Sequence, residues 1–98
     1  MPNPPTIQVN GTSVKVCSDV TAGDTVTITV TQDGSSTTVY QNSTSYPATR
    51  RECHTFTLGN GTYEVRVKVG DETYDYTITV PNNPSTPTPM NPSSNNPP

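Results

Sequence analysis

Cys17 and Cys53 carry more chemistry than any other residues of this chain, and the choice they pose is between a metal site and a covalent bond. Two thiols cannot build a structural zinc site alone, because such sites need four nitrogen or sulfur ligands and only His54 lies near either cysteine. The pair therefore predicts a disulfide, whose closed loop stabilises a small fold by about 4 kcal/mol in the chain-entropy account. A disulfide in turn predicts an oxidising, extracytoplasmic setting. His54 is the one histidine, and its inward parity at the start of a strand marks a packed or rim imidazole rather than a general base. Serines are plentiful, but none sits in a Gly-x-Ser-x-Gly elbow or beside a base. Asp19 with Asp24, and Asp71 with Glu72, offer the oxygens that calcium takes, yet neither pair belongs to a loop dense in carboxylates, so loop solvation is the preferred reading. The chain is not expected to be an enzyme, and no metal or cofactor is expected.

The candidate ligand-binding patch is made of Tyr40, on the outward parity of its strand, and Tyr46, Arg50 and Arg51 in the connection that follows. An exposed tyrosine can stack on a sugar ring or anchor a protein partner, and arginines add bidentate hydrogen bonds. Against this, isolated exposed aromatics are ordinary, and Tyr46 can instead fold back to fill the end of the domain. Three sequons, Asn10-Gly11-Thr12, Asn42-Ser43-Thr44 and Asn60-Gly61-Thr62, all fall at expected turns or loops. Turns need Asn-Gly and Gly-Thr for their own reasons, so glycosylation at Asn10, Asn42 and Asn60 depends on the host. The Thr-Pro repeats around Ser85 to Pro89 can carry O-glycans or act as a bare spacer.

The stretch from Gly61 to Val80 must organise whatever positions these residues. Tyr63, Val65, Val67 and Val69 alternate with Glu64, Arg66 and Lys68, and Tyr74, Tyr76, Ile78 and Val80 alternate with Thr73, Asp75, Thr77 and Thr79. With Gly70 supplying positive φ in a Gly70-Asp71 turn, Val69 faces Glu72, Val67 faces Tyr74, Val65 faces Tyr76 and Tyr63 faces Ile78. All the apolar side chains then share one face, and Arg66 lies opposite Asp75 on the other. A slip of one residue would turn a strand's apolar set into water, so the register is strongly specified.

The rest of the chain follows the same logic. Ile7 and Val9 form a short strand ending at Asn10-Gly11, Val14 and Val16 point inward in a second, and residues 18–24 read as a loop. Val26, Ile28 and Val30 alternate with threonines in a third. A two-residue Asp33-Gly34 turn would set Ile28 opposite Val39 and Val30 opposite Thr37. Residues 42–52 read as a longer connection, Phe56 and Leu58 mark another strand, and Gly59-Asn60-Gly61 turns into the organising hairpin. Cys17 and Cys53 both fall on outward faces, so the bridge is expected between neighbours in one sheet.

Strong depletion of Leu and Ala, abundant Thr and Val, and no apolar period near that of a helix predict an all-β chain with room, in 98 residues, for one small domain. A net charge of −3 gives no basic surface for phosphate backbones, so nucleic acid is not an expected partner. No apolar run is long enough to insert in a membrane, and no signal-peptide pattern follows Met1. If the protein is exported, the chain is expected to be a piece of it whose targeting signal lies elsewhere, with Met1 an added start. Residues 1–5 read as an N-terminal linker, 6–80 as the domain, and 81–98 as a disordered linker rich in Pro, Asn, Ser and Thr.

About seven short strands with turn signals between them point to a two-sheet antiparallel β-sandwich. Leu58-Gly59-Asn60-Gly61-Thr62-Tyr63-Glu64-Val65-Arg66-Val67-Lys68-Val69 resembles the turn and penultimate strand of fibronectin type III and bacterial or archaeal immunoglobulin-like modules. Val14 to Ser18 and Thr27 to Gly34 resemble their second and third strands. The resemblance implies an immunoglobulin-like fold, with Tyr63 as the corner tyrosine tying its hydroxyl to nearby backbone. By strand order it places 6–9, 14–18 and 53–58 in one sheet and 25–31, 36–41, 62–69 and 73–80 in the other. There is no tryptophan, and Cys53 precedes the Gly-Thr-Tyr turn, whereas the antibody-type cysteine follows the tyrosine by two residues, where Val65 stands. The bridge is thus not the inter-sheet bridge of antibody domains.

The function expected is a non-catalytic spacer or interaction module of a secreted or cell-surface multidomain protein, monomeric as an isolated domain, with neighbouring domains as its partners. The rivals are a carbohydrate- or host-surface-binding accessory domain, taking a polysaccharide or a cell-surface protein, and a subunit of an extracellular fibre. Prolines disfavour the tail as a donor strand in such a fibre.

Overall fold

The structure, a computed structural model, describes residues 3–82 and 89–96. Part of each expected linker, and Thr86-Pro87-Thr88 of the stretch considered for O-glycans, lie outside the described residues. The strands are β1 (Thr6–Asn10), β2 (Ser13–Val20), β3 (Thr25–Gln32), β4 (Thr38–Ser45), β5 (Arg50–Thr57), β6 (Gly61–Val69), β7 (Glu72–Val80), β8 (Pro89–Met90) and β9 (Ser94–Asn96). They make a four-stranded sheet ordered β5-β2-β1-β8 and a five-stranded sheet ordered β4-β3-β6-β7-β9, with every pairing antiparallel. The all-β sandwich expected from side-chain parity is the fold, and its main strands divide between the sheets as strand order implies.

The β6–β7 hairpin has the register dictated by its alternation: Val69 pairs with Glu72, Val67 with Tyr74, Val65 with Tyr76, Tyr63 with Ile78 and Arg66 with Asp75. Gly70 turns the chain with φ of 57°. β3 lies on the other side of β6 and stacks Val26, Ile28 and Val30 against Val69, Val67 and Val65. The facing sheet contributes Ile7, Val9, Val14 and Val16, all buried, from the β1–β2 hairpin. Tyr76 is fully buried, and its hydroxyl donates to the carbonyl of Pro5 at 2.5 Å, tying the start of the chain to the opposite sheet. Burial pushes the Tyr76 hydroxyl well above the usual tyrosine range, and the neighbouring Tyr74 adds to the shift.

The β3–β4 pairing departs from expectation. Asp33 and Gly34 do turn the chain, with Gly34 at φ 77° and the Ser35 amide donating to the Gln32 carbonyl at 2.9 Å, but β4 resumes only at Thr38. The Ser35 hydroxyl accepts from the Thr37 amide at 3.0 Å, a local bond that competes with the ladder and lengthens the loop. A register shift between Val30 and Thr31 follows, so Val30 faces Tyr40 and Ile28 faces Asn42. One residue of shift reverses which side chains face the core. Tyr40, expected outside, turns inward, and Val39 is left 44% exposed.

Most of the expected 42–52 connection is also strand. Hydroxyl pairs carry β4 to its end, Thr27 with Ser43 and Thr25 with Ser45, each at 2.8 Å. β5 begins at Arg50 because β2 runs on through Val20, past the expected start of the loop, and pairs Val20 with Arg50 and Asp19 with Arg51.

The described part of the tail adds two short pairings at the sheet edges. Pro89 and Met90 lie opposite Gln8 and Ile7, and Ser94, Asn95 and Asn96 lie opposite Asp75, Tyr74 and Thr73. An edge strand bonds on one side only, so a proline there can leave its missing donor on the open side. Met90, the large apolar residue of the tail, packs partly buried against the core.

Candidate functional site

The side chains richest in chemistry meet where the two sheets part, between β4 and β5. Strand parity on β4 turns Tyr40, Asn42 and Thr44 toward the interior, and parity on β5 turns Glu52, His54 and Phe56 to meet them. The Tyr40 ring stacks on Phe56 with centroids 4.3 Å apart and planes 10° from parallel. Its hydroxyl shares a hydrogen bond of 2.5 Å with His54 Nε2. Behind them Val16, Ser18, Val26, Ile28, Asn42, Tyr46, Glu52 and His54 line a narrow crevice of about 10 Å³, room for about one water. Its polar groups are answered within the protein: His54 by Tyr40, the Glu52 carboxylate by Arg50, and the Asn42 amide by donation to the Thr44 hydroxyl at 3.1 Å.

The four residues expected to form one patch are divided by this geometry. Tyr40 and Tyr46 are both half-buried against the core. Tyr46 is held by its backbone, whose amide donates to the Asp24 carbonyl at 2.9 Å and whose carbonyl accepts from the Gly23 amide at 2.8 Å. Arg50 stays near them, exposed, on Glu52. Arg51 goes to the opposite face of β5, where it donates to Asp19 at 2.7 Å and to the Thr6 hydroxyl at 3.0 Å. Beside it, Cys17 and Cys53 form the disulfide across a directly opposed β2–β5 pair, with Cα atoms 4.0 Å apart. The bond lies within one sheet, as side-chain parity requires.

Of the sequon residues, Asn10 and Asn60 are exposed at turns, whereas Asn42 is half-buried in the seam. Tyr63 donates its hydroxyl to the Gly59 carbonyl at 2.9 Å, the bond expected of a corner tyrosine. Asp19, Asp24, Asp71 and Glu72, two separate pairs in sequence, all line one shallow cleft at the pole where Asn3 and Pro5 lie. Asp19 is held by Arg51, and Asp24 accepts from the Thr21 amide at 2.9 Å. Among the described residues no three acidic, histidine or cysteine side chains converge as a metal would need.

On the outer face of the five-stranded sheet, Arg66 grips Asp75 with two bonds of 2.7 and 3.1 Å, and the Thr77 hydroxyl donates to Glu64 at 2.7 Å. The contact raises the Arg66 pKa further, through the hydrogen bond first and the charge second.

Sequence reasoning missed the partnership of Tyr40 with His54 and Phe56. The inward parity of His54 was its one available signal, since the loop between Asp33 and Thr38 hides which way Tyr40 points. No protein-family model matches the chain, and neither a curated protein nor a solved structure matches it.

Proposed function

We propose that this chain is a non-catalytic, immunoglobulin-like spacer module of an exported multidomain protein, braced by its disulfide. The observation that carries the reading is that the two facing sheets are tied at both ends of β1. At its start the Tyr76 hydroxyl, from the middle of β7, holds Pro5. At its end, Gly11 and Asn82 exchange backbone bonds of 2.6 and 3.1 Å, and the Asn82 side chain donates to the Val9 carbonyl at 3.2 Å. Load between residues 5 and 82 passes through these ties once the β8 and β9 pairings, which return the chain to Thr73, have parted. Three further facts support the reading: β5-β2-β1 faces β4-β3-β6-β7 as in an immunoglobulin-like sandwich, Tyr63 occupies the corner, and a cystine is at home in an oxidising compartment.

The rival reading, a sugar-stacking surface, is weakened by Tyr40. One face of its ring is covered by Phe56 and its hydroxyl is bound to His54, so it offers no open platform. Pulling single molecules of the oxidised chain in a tandem array tests the proposal. The cystine shields a loop of sequence separation 36, so each unfolding step should be roughly 120 Å shorter than in the reduced chain. Saturable binding to a polysaccharide, lost in Tyr46→Ala, would replace the spacer by a recognition module.

A further inference from the structure

Four edges bound the two sheets, and they are not treated alike. On one flank β8 covers the edge of β1 and β9 covers the edge of β7. On the other flank β5 is bare but carries Arg50, Arg51 and Glu52, the kind of charge that keeps an edge from pairing with other chains. β4 has none of these protections. Its eight residues, Thr38 to Ser45, include no charge, no proline and no glycine, and nothing covers its outer side among the described residues. The irregularity at Val30/Thr31 lies at its beginning, and from Tyr40 to Ser45 it is paired with β3 without interruption.

We propose that the open edge of β4 is a self-association surface, at which a second copy of this chain pairs its own β4 antiparallel across a two-fold axis. This goes beyond the spacer reading and departs from the isolated monomer expected from the sequence. Three observations favour a second copy as the occupant. An uncharged strand meets its own copy without like-charge contacts, and antiparallel pairing lets both copies use the same surface. The register centred on Asn42 sets Gln41 opposite Ser43 of the second copy, Tyr40 opposite Thr44 and Val39 opposite Ser45, so inward residues meet inward and outward meet outward. Finally, Tyr40, Asn42 and Thr44 are only half-buried, and Val39 is the large apolar side chain left exposed among the described residues. A strand laid along β4 covers both. Because the surface is consumed on both sides, the assembly closes at two copies.

Sedimentation equilibrium of the oxidised full chain, from about 1 µM to about 1 mM, tests this. A reversible monomer–dimer equilibrium is expected. Gln41→Lys with Ser43→Lys should raise its dissociation constant at least about tenfold, by setting like charges across the axis. Thr57→Lys with Thr79→Lys, two exposed positions away from β4, should leave the constant unchanged. Circular dichroism and the thermal midpoint of each variant verify that the fold is intact. A monomer across the whole range, an open series of larger species, or a dimer weakened equally by both lysine pairs would overturn the proposal.

Discussion

Tyr76 joins the most buried phenol of the chain to the carbonyl of Pro5, so one hydroxyl holds the start of the polypeptide to the far sheet. Its pKa lies above the ordinary tyrosine value of about 10, because burial disfavours the phenolate. Tyr74 is shifted the same way, by burial first and by Glu72 second. For a group raised in the folded state, the stabilising contribution is complete below the unfolded value and is lost as pH rises above it. Stability should therefore fall above about pH 10, as followed by chemical denaturation across an alkaline series. Tyr76→Phe should cost about 1–3 kcal/mol at neutral pH, because the Pro5 carbonyl loses its donor, and should flatten the alkaline decline. An unchanged alkaline slope in that variant would show that other groups govern it. In the seam, Tyr40→Phe keeps the stack on Phe56 and loses the bond to His54, so a loss of about 0.5–1.5 kcal/mol is expected from the same measurement.

Two elements hold the others in place. The β6–β7 hairpin depends on Gly70, whose φ of 57° is costly for any residue with a Cβ. A Cβ there would also stand 3.0 Å from an Asp24 carboxylate oxygen. Gly70→Ala should destabilise the fold by about 1–2 kcal/mol in urea unfolding, whereas an alanine at exposed Asn60 should change little. The β2–β5 pair is the second such element, since the cystine fastens the bare-edged β5 to the sheet. Replacing both cysteines by alanine should cost about 4 kcal/mol, the loop-closure value for this separation, a large share of the margin of so small a domain. The same loss on reduction of the wild-type chain would assign the effect to the bond itself.

At the scale of the molecule, the two flanks of the sandwich contrast. One is closed by β8 and β9, with Met90 packed on the core. The other is left to β4, β5 and the Tyr40–His54–Phe56 stack. Met90→Asp should open the closed flank, raising amide hydrogen exchange in β1 and β7 while sparing β3, whose two neighbours are main-body strands. Equal protection in the variant and the wild type would mean that the tail pairings add nothing to the edges they cover.

How much of this was legible beforehand differs by residue. Strict alternation around Val65, Val67, Tyr74 and Tyr76 together with the Gly70-Asp71 turn determined the central register, because the turn sets the pairing and a slip of one residue would turn a strand's apolar set into water. Parity at Cys17 and Cys53 likewise placed the bridge within a sheet. Neither inference needed long-range information, since a period of two is a local property of the chain. The direction of Tyr40 was different. It hangs on the loop after Gly34 and on one shifted residue at Thr31, which pattern alone does not encode. The meeting of Tyr40, Asn42 and His54, the separation of Arg50 from Arg51, and the bareness of β4 arise only when strands distant in sequence are laid side by side. Alternation decides which face of a strand is dry, and three-dimensional packing decides which dry faces meet and which edge stays open.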